Sequence, residues 1–332
     1  MTSLTYREAG VDIDLERTAI EALIRRLTFR RKGQYGMMGE IGHFSGLIEF
    51  GTQVLALTTD GVGTKMVVAE RLKNWKTIGI DCIAMNVNDL YVMNIEPIAF
   101  VDYIASDKVS ETVMSQIGEG LNEGARQANI NIVGGETASL KGLVNGVDLA
   151  GTCLGVQARE RVVTGSRIQP GDVMVGIPST GIHSNGLTLA RRIIEANSDY
   201  GERLPGGRRL GEELLTPTRI YHQTLPVCAA CTVHGMCHIT GSGLLNFLRL
   251  TRYGFEIDHP LPPQEIFHWL KETGEVSTEE MYRTFNMGMG YAFILPQAGV
   301  ETVKQYFPDG RVVGTSVEKP GIRIEGQPVE YH

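Results

Sequence analysis

An alternation along this 332-residue chain constrains its fold more than any other feature. Short apolar, β-branched runs, "QVLALTTD", "IAFVDYIA", "INIVGG" and "VDLAGTCLGV", take turns with segments of helical period over Asp81 to Met93 and Ser110 to Ala128. Strands alternating with helices of that length predict an α/β or α+β architecture. The stretch "GSRIQPGDVMVGIPS" reads as a turn entering a new strand, which places a boundary near Ile168 and divides the chain into residues 1–167 and 168–332. In the second part, helices are expected over Leu187 to Ala196 and from Pro217, a glycine-rich loop at Tyr200 to Arg209, and a strand near Ala292 to Leu295. No internal repeat interrupts this plan.

The first long strand ends in "TTDGVGTK", Thr58 to Lys65. Its glycines, threonine and lysine suit a phosphate, but Asp60 would repel one. Neither the G-x4-G-K-[ST] loop nor a strand followed by G-x-G-x-x-G occurs, so both common nucleotide-binding loops are disfavoured. Gly61 and Gly63 instead permit a tight turn and close approach of a ligand to backbone amides. At 100° per residue, Asp81, Met85, Asn88 and Asp89 share about one third of the next helix, with Ile83, Val87 and Leu90 opposite. That polar face is either solvated, with Asp81 as a cap, or a set of short oxygen ligands fit for Mg2+. On the second reading Asp60 holds a metal that holds the phosphates, and Lys65 neutralises charge directly.

Three further clusters have the same character. "IVGGETA" places Gly134, Gly135, Glu136 and Thr137 directly after a strand; "STGIHSNG" brings Ser179, Thr180, His183, Ser184 and Asn185 to a helix start; "HITGSGL" ends a strand in Thr240 and Gly241. Each alone reads equally as a cap or turn, and together they read as one phosphate-rich site.

Charge narrows the partners. A net charge of −7 and a pI near 5.7 leave no electrostatic footprint for nucleic acid or an anionic membrane, and the run Arg30-Arg31-Lys32 is too short to supply one. The N-terminal stretch has no signal-peptide pattern, and no window reaches the ~18 apolar residues of a membrane span, so a cytoplasmic protein is expected. Five cysteines fit reduced thiols. Cys228 and Cys231, with Cys237 and His238 beyond, could begin a zinc site, but lack a second well-spaced pair and read more simply as buried thiols. Between Gly33 and Gly46 five glycines mark a loop that can move and close.

The ordered segments "YREAGVDID", "TTDGVGTK", "IGIDCIAMNVNDL", "EPIAFVDYIA", "GGETA", "VDLAGTCLGV", "GIHSNG", "LLTPTRIY", "HITGSGL" and "EMYRTFNMGMG" resemble the aminoimidazole ribonucleotide synthetase family along essentially the whole chain. The resemblance implies a two-domain, PurM-like ATP-binding fold of the α/β (α+β) class and a homodimer. The N-terminal sheets of that dimer join in a β-barrel, and its nucleotide sites are built partly across the interface. It implies ATP and Mg2+, and closure of an imidazole ring from formylglycinamidine ribonucleotide through an iminophosphate. Carried onto this sequence, Asp60, Lys65 and His183 would be catalytic, and Asp60, Asp81 and Asp89 would hold the metal. Gly61, Gly63, Thr64, Lys65, Asp81, Asn88, Gly134, Gly135, Glu136 and Thr137 would bind the nucleotide. His183, Ser184, Asn185, Thr240, Gly241 and Asn286 would bind the substrate. The sequence departs from the family in "GGETASLKG", "GHFSGL" and "HITGSGL", where Ser139, Lys141, His43, Ser45 and Ser242 replace the usual residues. Related ATP-dependent enzymes of the superfamily and a silent nucleotide-binding scaffold are the alternatives. The former lack "EMYRTFNMGMG" and "GIHSNG", and the retained Asp60, Lys65 and Asp89 speak against the latter.

Overall fold

The structure, a computed structural model, describes residues 5–7 and 9–329. Glu8 of the "YREAGVDID" match lies outside the described residues, as do both ends of the chain. Two sheets organise the rest. The first contains β1 (Met37–Met38), β2 (Gly46–Phe50), β3 (Gln53–Gly61), β4 (Glu96–Ser106), β5 (Asn131–Ser139) and β6 (Val147–Ala158), in the order β1-β2-β3-β6-β4-β5. Helix α1 (Ile13–Ile24) precedes it, α2 (Lys65–Leu72) and α3 (Ile78–Tyr91) follow β3, and α4 (Glu111–Ala128) joins β4 to β5. β4 and β5 are parallel, as a helical crossover requires, and the other pairs are antiparallel.

Strand alternation decides which face is covered. Val54, Ala56 and Thr58 of β3 are buried on the face that α3 packs against. Leu57 points the other way and is 42% exposed, and across the intervening β6 so are Val101 (39%) and Tyr103 (44%) of β4. α3 and α4 lie close together because Gly79 and Gly120 meet: a Cβ on Gly79 would stand 2.1 Å from the Leu121 nitrogen.

The second sheet, of order β13-β12-β9-β11-β7-β10-β8, comprises β7 (Val173–Pro178), β8 (Gly235–His238), β9 (Gly254–Ile257), β10 (Met289–Leu295), β11 (Arg311–Val317), β12 (Ile322–Ile324) and β13 (Gln327–Val329). Its helices are α5 (Leu187–Asn197), α6 (Leu210–Leu214), α7 (Thr224–Ala230), α8 (Glu265–Thr273), α9 (Thr278–Thr284) and α10 (Val300–Tyr306). Every residue of β10 is buried, which explains its unbroken apolar sequence.

The α/β alternation and the helices over residues 111–128 and 187–197 agree with the sequence reading. Three details differ. α3 starts at Ile78, so Asp81 sits in its first turn, and Thr77 is the cap residue. Residues 216–221 have no regular structure, and the helix expected from Pro217 begins at Thr224. Finally, Gly134 to Thr137 lie inside β5, where they pair with Val101 to Ile104 of β4.

Candidate functional site

Asp60 ends β3 near the seam between the two domains, where its carboxylate accepts the Gly61 N–H at 2.8 Å. Asp89 approaches from α3, and its Oδ1 lies 2.9 Å from Nδ1 of His238, the last residue of β8. The amide nitrogen of Asn88 faces His238 Nε2 at 3.4 Å; since an amide nitrogen only donates, Nε2 is the bare nitrogen and Nδ1–H donates to Asp89. Burial first, and the charge of Asp89 second, push the Asp60 carboxyl up to about 6. Two acids are thus held together at a cost, as a cation site would hold them. Among the described residues no group of three or more His, Cys, Asp or Glu converges as a metal site. A carboxylate pair nevertheless fits Mg2+, which takes one or two and fills its shell with water and phosphate oxygens. The Cys228 thiol meets the Met236 sulfur at 3.8 Å and is pushed up to about 12 by burial, while His238 turns to Asp89.

Two residues of the polar face of α3, Asp81 and Asn88, make contacts to the second domain. Lys65 is fully buried, and its Nζ reaches Asp81 Oδ1 at 2.9 Å and Oδ2 at 2.8 Å, the Thr216 carbonyl at 2.7 Å and the His183 carbonyl at 3.3 Å. Burial holds its pKa below that of an ordinary lysine, with Asp81 opposing. In this arrangement Lys65 neutralises Asp81 and cannot also pair with a phosphate. Asp81 is equally committed: its Oδ1 accepts the Thr218 N–H at 2.8 Å, the Thr218 hydroxyl at 2.7 Å and the Ser184 hydroxyl at 3.1 Å. Asn88 accepts the Tyr221 N–H at 3.0 Å and donates to the Arg219 carbonyl at 2.8 Å. Asp81 and Asn88, expected as metal and nucleotide ligands, are here engaged in contacts that bind the second domain to the first.

His183, expected as a catalytic and substrate-binding residue, is enclosed. It is buried with φ +59, its Nε2 accepts the Thr180 N–H at 3.2 Å, and burial holds it well below the usual imidazole range. A Cβ on Gly290 would stand 2.6 Å from its Cε1, so only glycine admits the ring there. Such a neutral, enclosed imidazole is poorly placed to exchange protons with a ligand. Asn286 is spent internally: Oδ1 accepts from the Ser179 hydroxyl and the Gly288 N–H, and Nδ2 donates to the Gly181 carbonyl.

Other expected residues remain open to a ligand. Gly63 and Thr64 are exposed, and Thr64 Oγ1 lies 3.1 Å from Thr188 Oγ1 across the seam. Asn185, Thr240 and Gly241 are half-buried together, with Asn185 Oδ1 only 3.1 Å from where a Cβ on Gly241 would be. Gly134, Gly135, Glu136 and Thr137 are exposed on the edge strand β5.

Sequence reasoning passed over two residues, Asp102 and Arg249, and weighed His238 only as part of a zinc site. His238 opens the quoted "HITGSGL", and its place at a strand end ahead of glycines was the available signal. Asp102 shares a row across the sheet with Asp60, by way of Gly151, and burial raises its pKa. Arg249 lies 5.7 Å from the Phe44 ring and its charge reaches Asp60; nothing in its local sequence marks it.

Comparison with known proteins shows the family. The family model for the AIR synthase related protein, N-terminal domain, matches residues 42–157, and that for the C-terminal domain matches residues 169–327. Phosphoribosylformylglycinamidine cyclo-ligase of Methanosarcina acetivorans is 51% identical over 330 residues, covering 98% of each chain. The cyclo-ligase of Pyrococcus furiosus is 48% identical over 337 residues and 99% of each chain. Among solved structures, AaThiL complexed with AMPPCP and TMP superposes with a TM-score of 0.64 at 16% identity, over 100% of this chain and 98% of that one, a likeness of fold. With both domains matched in order and about half the residues identical from end to end, the chain belongs to the AIR synthase related family.

Proposed function

We propose that the chain is an ATP-dependent cyclo-ligase that closes formylglycinamidine ribonucleotide to aminoimidazole ribonucleotide, releasing ADP and phosphate. The near-full-length identity to proteins named for this reaction carries the reading. The formyl amide oxygen attacks the γ-phosphorus and ADP leaves. The amidine nitrogen then attacks the same carbon, the new C–N bond closes the ring, and phosphate departs with the former amide oxygen.

An amide oxygen is a weak nucleophile and the partners are anionic, so alignment and charge compensation are what the protein must supply. Asp60 and Asp89 would hold Mg2+, which when bound supplies positive charge to the phosphates. His238 fixes Asp89 through Nδ1–H, and Asn88 fixes His238. With Lys65 committed to Asp81, Arg249 is the cation whose field reaches this corner. The exposed turn at Gly63 and Thr64 offers backbone amides to phosphate next to Gly61, whose own N–H is taken by Asp60, and Asn185, Thr240 and Gly241 line the substrate side.

The division at residues 167 and 168 separates the two sheets, and the uncovered face bearing Leu57, Val101 and Tyr103 supports a homodimer built on the first. Five free cysteines suit the cytoplasm, where we place the reaction. No described helix is long and apolar enough to cross a membrane.

ADP release with and without formylglycinamidine ribonucleotide tests the activity. Asp60→Asn should lower turnover roughly thirtyfold or more while leaving the fold intact. Turnover near that of the parent at saturating Mg2+ would reject the metal assignment.

A further inference from the structure

Six hydrogen bonds and one ion pair converge on Lys65 and Asp81, and all but the contacts between these two lead into the second domain. Two loops are caught there. One is 180–186, held through the His183 carbonyl and the Ser184 hydroxyl. The other is the extended strap 215–221, held through the Thr216 carbonyl and the Thr218 N–H and hydroxyl. The first loop also carries Asn185, which faces Gly241. Lys65 itself follows directly on Gly61, Gly63 and Thr64, and Asp81 shares α3 with Asp89. The pair is thus a continuous covalent and polar route between the proposed nucleotide side and the proposed substrate side.

We propose that Lys65 and Asp81 are positioning residues: their buried ion pair sets the distance between the phosphate donor at Asp60 and Asp89 and the substrate held at loop 180–186. The pair touches neither reactant. It acts by fixing two loops whose own backbones have no regular structure to hold them, and an ångström of slack in such alignment can cost about a hundredfold in rate. Replacing the pair by neutral groups of the same shape removes the stiffness while filling the space, because a buried ion pair contributes little net stability over a well-packed neutral pair.

The inference rests on nucleotide binding at Asp60 and Asp89, and direct nucleotide titration keeps the two claims apart. In the full-length enzyme, Lys65→Met with Asp81→Asn should remain folded by circular dichroism and bind ADP with Mg2+ within about threefold of the parent, while kcat falls about a hundredfold. A kcat within about threefold of the parent would show the pair to be structural only. A tenfold or greater loss of ADP affinity would show that Lys65 serves the phosphates directly. Unaltered ADP and Mg2+ binding in Asp60→Asn, by contrast, would indict the nucleotide site and not the pair. Should the double variant fail to fold, Thr218→Val, which removes one hydroxyl from the Asp81 carboxylate, should lower kcat about fivefold with ADP affinity unchanged. An unchanged kcat in that variant would equally overturn the proposal.

Discussion

Asn88→Leu separates the two uses that the polar face of α3 could have. The side chain is wholly buried, and its amide satisfies the Tyr221 N–H at 3.0 Å and the Arg219 carbonyl at 2.8 Å. Leucine has the same branched skeleton of heavy atoms and satisfies neither. Leaving two buried backbone groups unpaired costs ~1–3 kcal/mol each, ~4 kcal/mol together, and the added apolar contact returns ~1 kcal/mol. A net ~3 kcal/mol corresponds to a rise of roughly a hundredfold in the local opening equilibrium of the strap. Native-state amide exchange at Tyr221 reads that equilibrium directly and needs no assumption that the two domains unfold together. Protection at Tyr221 should fall by that factor, with the core of β10 unaffected. If Tyr221 exchanges at the parent rate, or if ADP affinity disappears while Tyr221 stays protected, Asn88 is a ligand of the nucleotide and the clamp has been misread.

His183 offers a pH test. Burial lowers its folded-state pKa well below 6.5, so between that value and 6.5 the unfolded chain binds a proton that the native chain does not, and stability declines as pH falls below 6.5. His183→Gln should flatten this slope in denaturant titrations at pH 7 and 5; an unchanged slope refutes a neutral buried His183. For the cysteines, purified protein should carry no stoichiometric zinc, and chelator should leave its melting unchanged; about one tightly held zinc per chain would prove otherwise. In the glycine-rich loop, Gly39 and Gly42 are exposed with positive φ, while His43 is tied to the Thr164 carbonyl at 3.0 Å and Phe44 and Ser45 are buried. Amide exchange should be fast over residues 39–42, beyond the paired β1, and slow down on adding ATP and Mg2+, with 43–45 protected throughout; slow exchange at Gly39 without ligand would exclude a lid.

Much of the fold was legible because strand and helix periods are local properties. The spacing of Asp81, Asn88 and Asp89 identified one helix face, but it could not say what meets that face. The answer lies in residues 215–221, more than a hundred positions downstream, and a polar face dressed by main-chain amides has the same composition as one that binds metal. The same strap defeated the helix expected from Pro217, since the Thr218 and Tyr221 N–H groups and the Arg219 carbonyl, given to Asp81 and Asn88, are lost to helical turns. Gly134 and Gly135 read as the end of a strand, yet at a sheet edge they continue it, with the Asp102 carboxyl lying within 2.4 Å of the place a Cβ on Gly135 would take. Asp60 stood out because an acid amid glycines at a strand end is hard to explain otherwise, and Asp89 because of its place on the polar face of a helix. Arg249 was not, because only tertiary structure brings it to Phe44.

The strap has a consequence for how this seam tolerates change over generations. Helix α3 holds it at the Leu215 carbonyl, the Thr218 N–H, the Arg219 carbonyl and the Tyr221 N–H, all main-chain atoms, and at one side chain, the Thr218 hydroxyl. Recognition of this kind is blind to most of the sequence it grips. Substitutions at positions 215, 219 and 220 should drift wherever packing allows, whereas Thr77, Asp81 and Asn88 answer for every bond. Mutational freedom is therefore lopsided across the seam, with the burden of fidelity resting on the helix and the licence to vary on the loop.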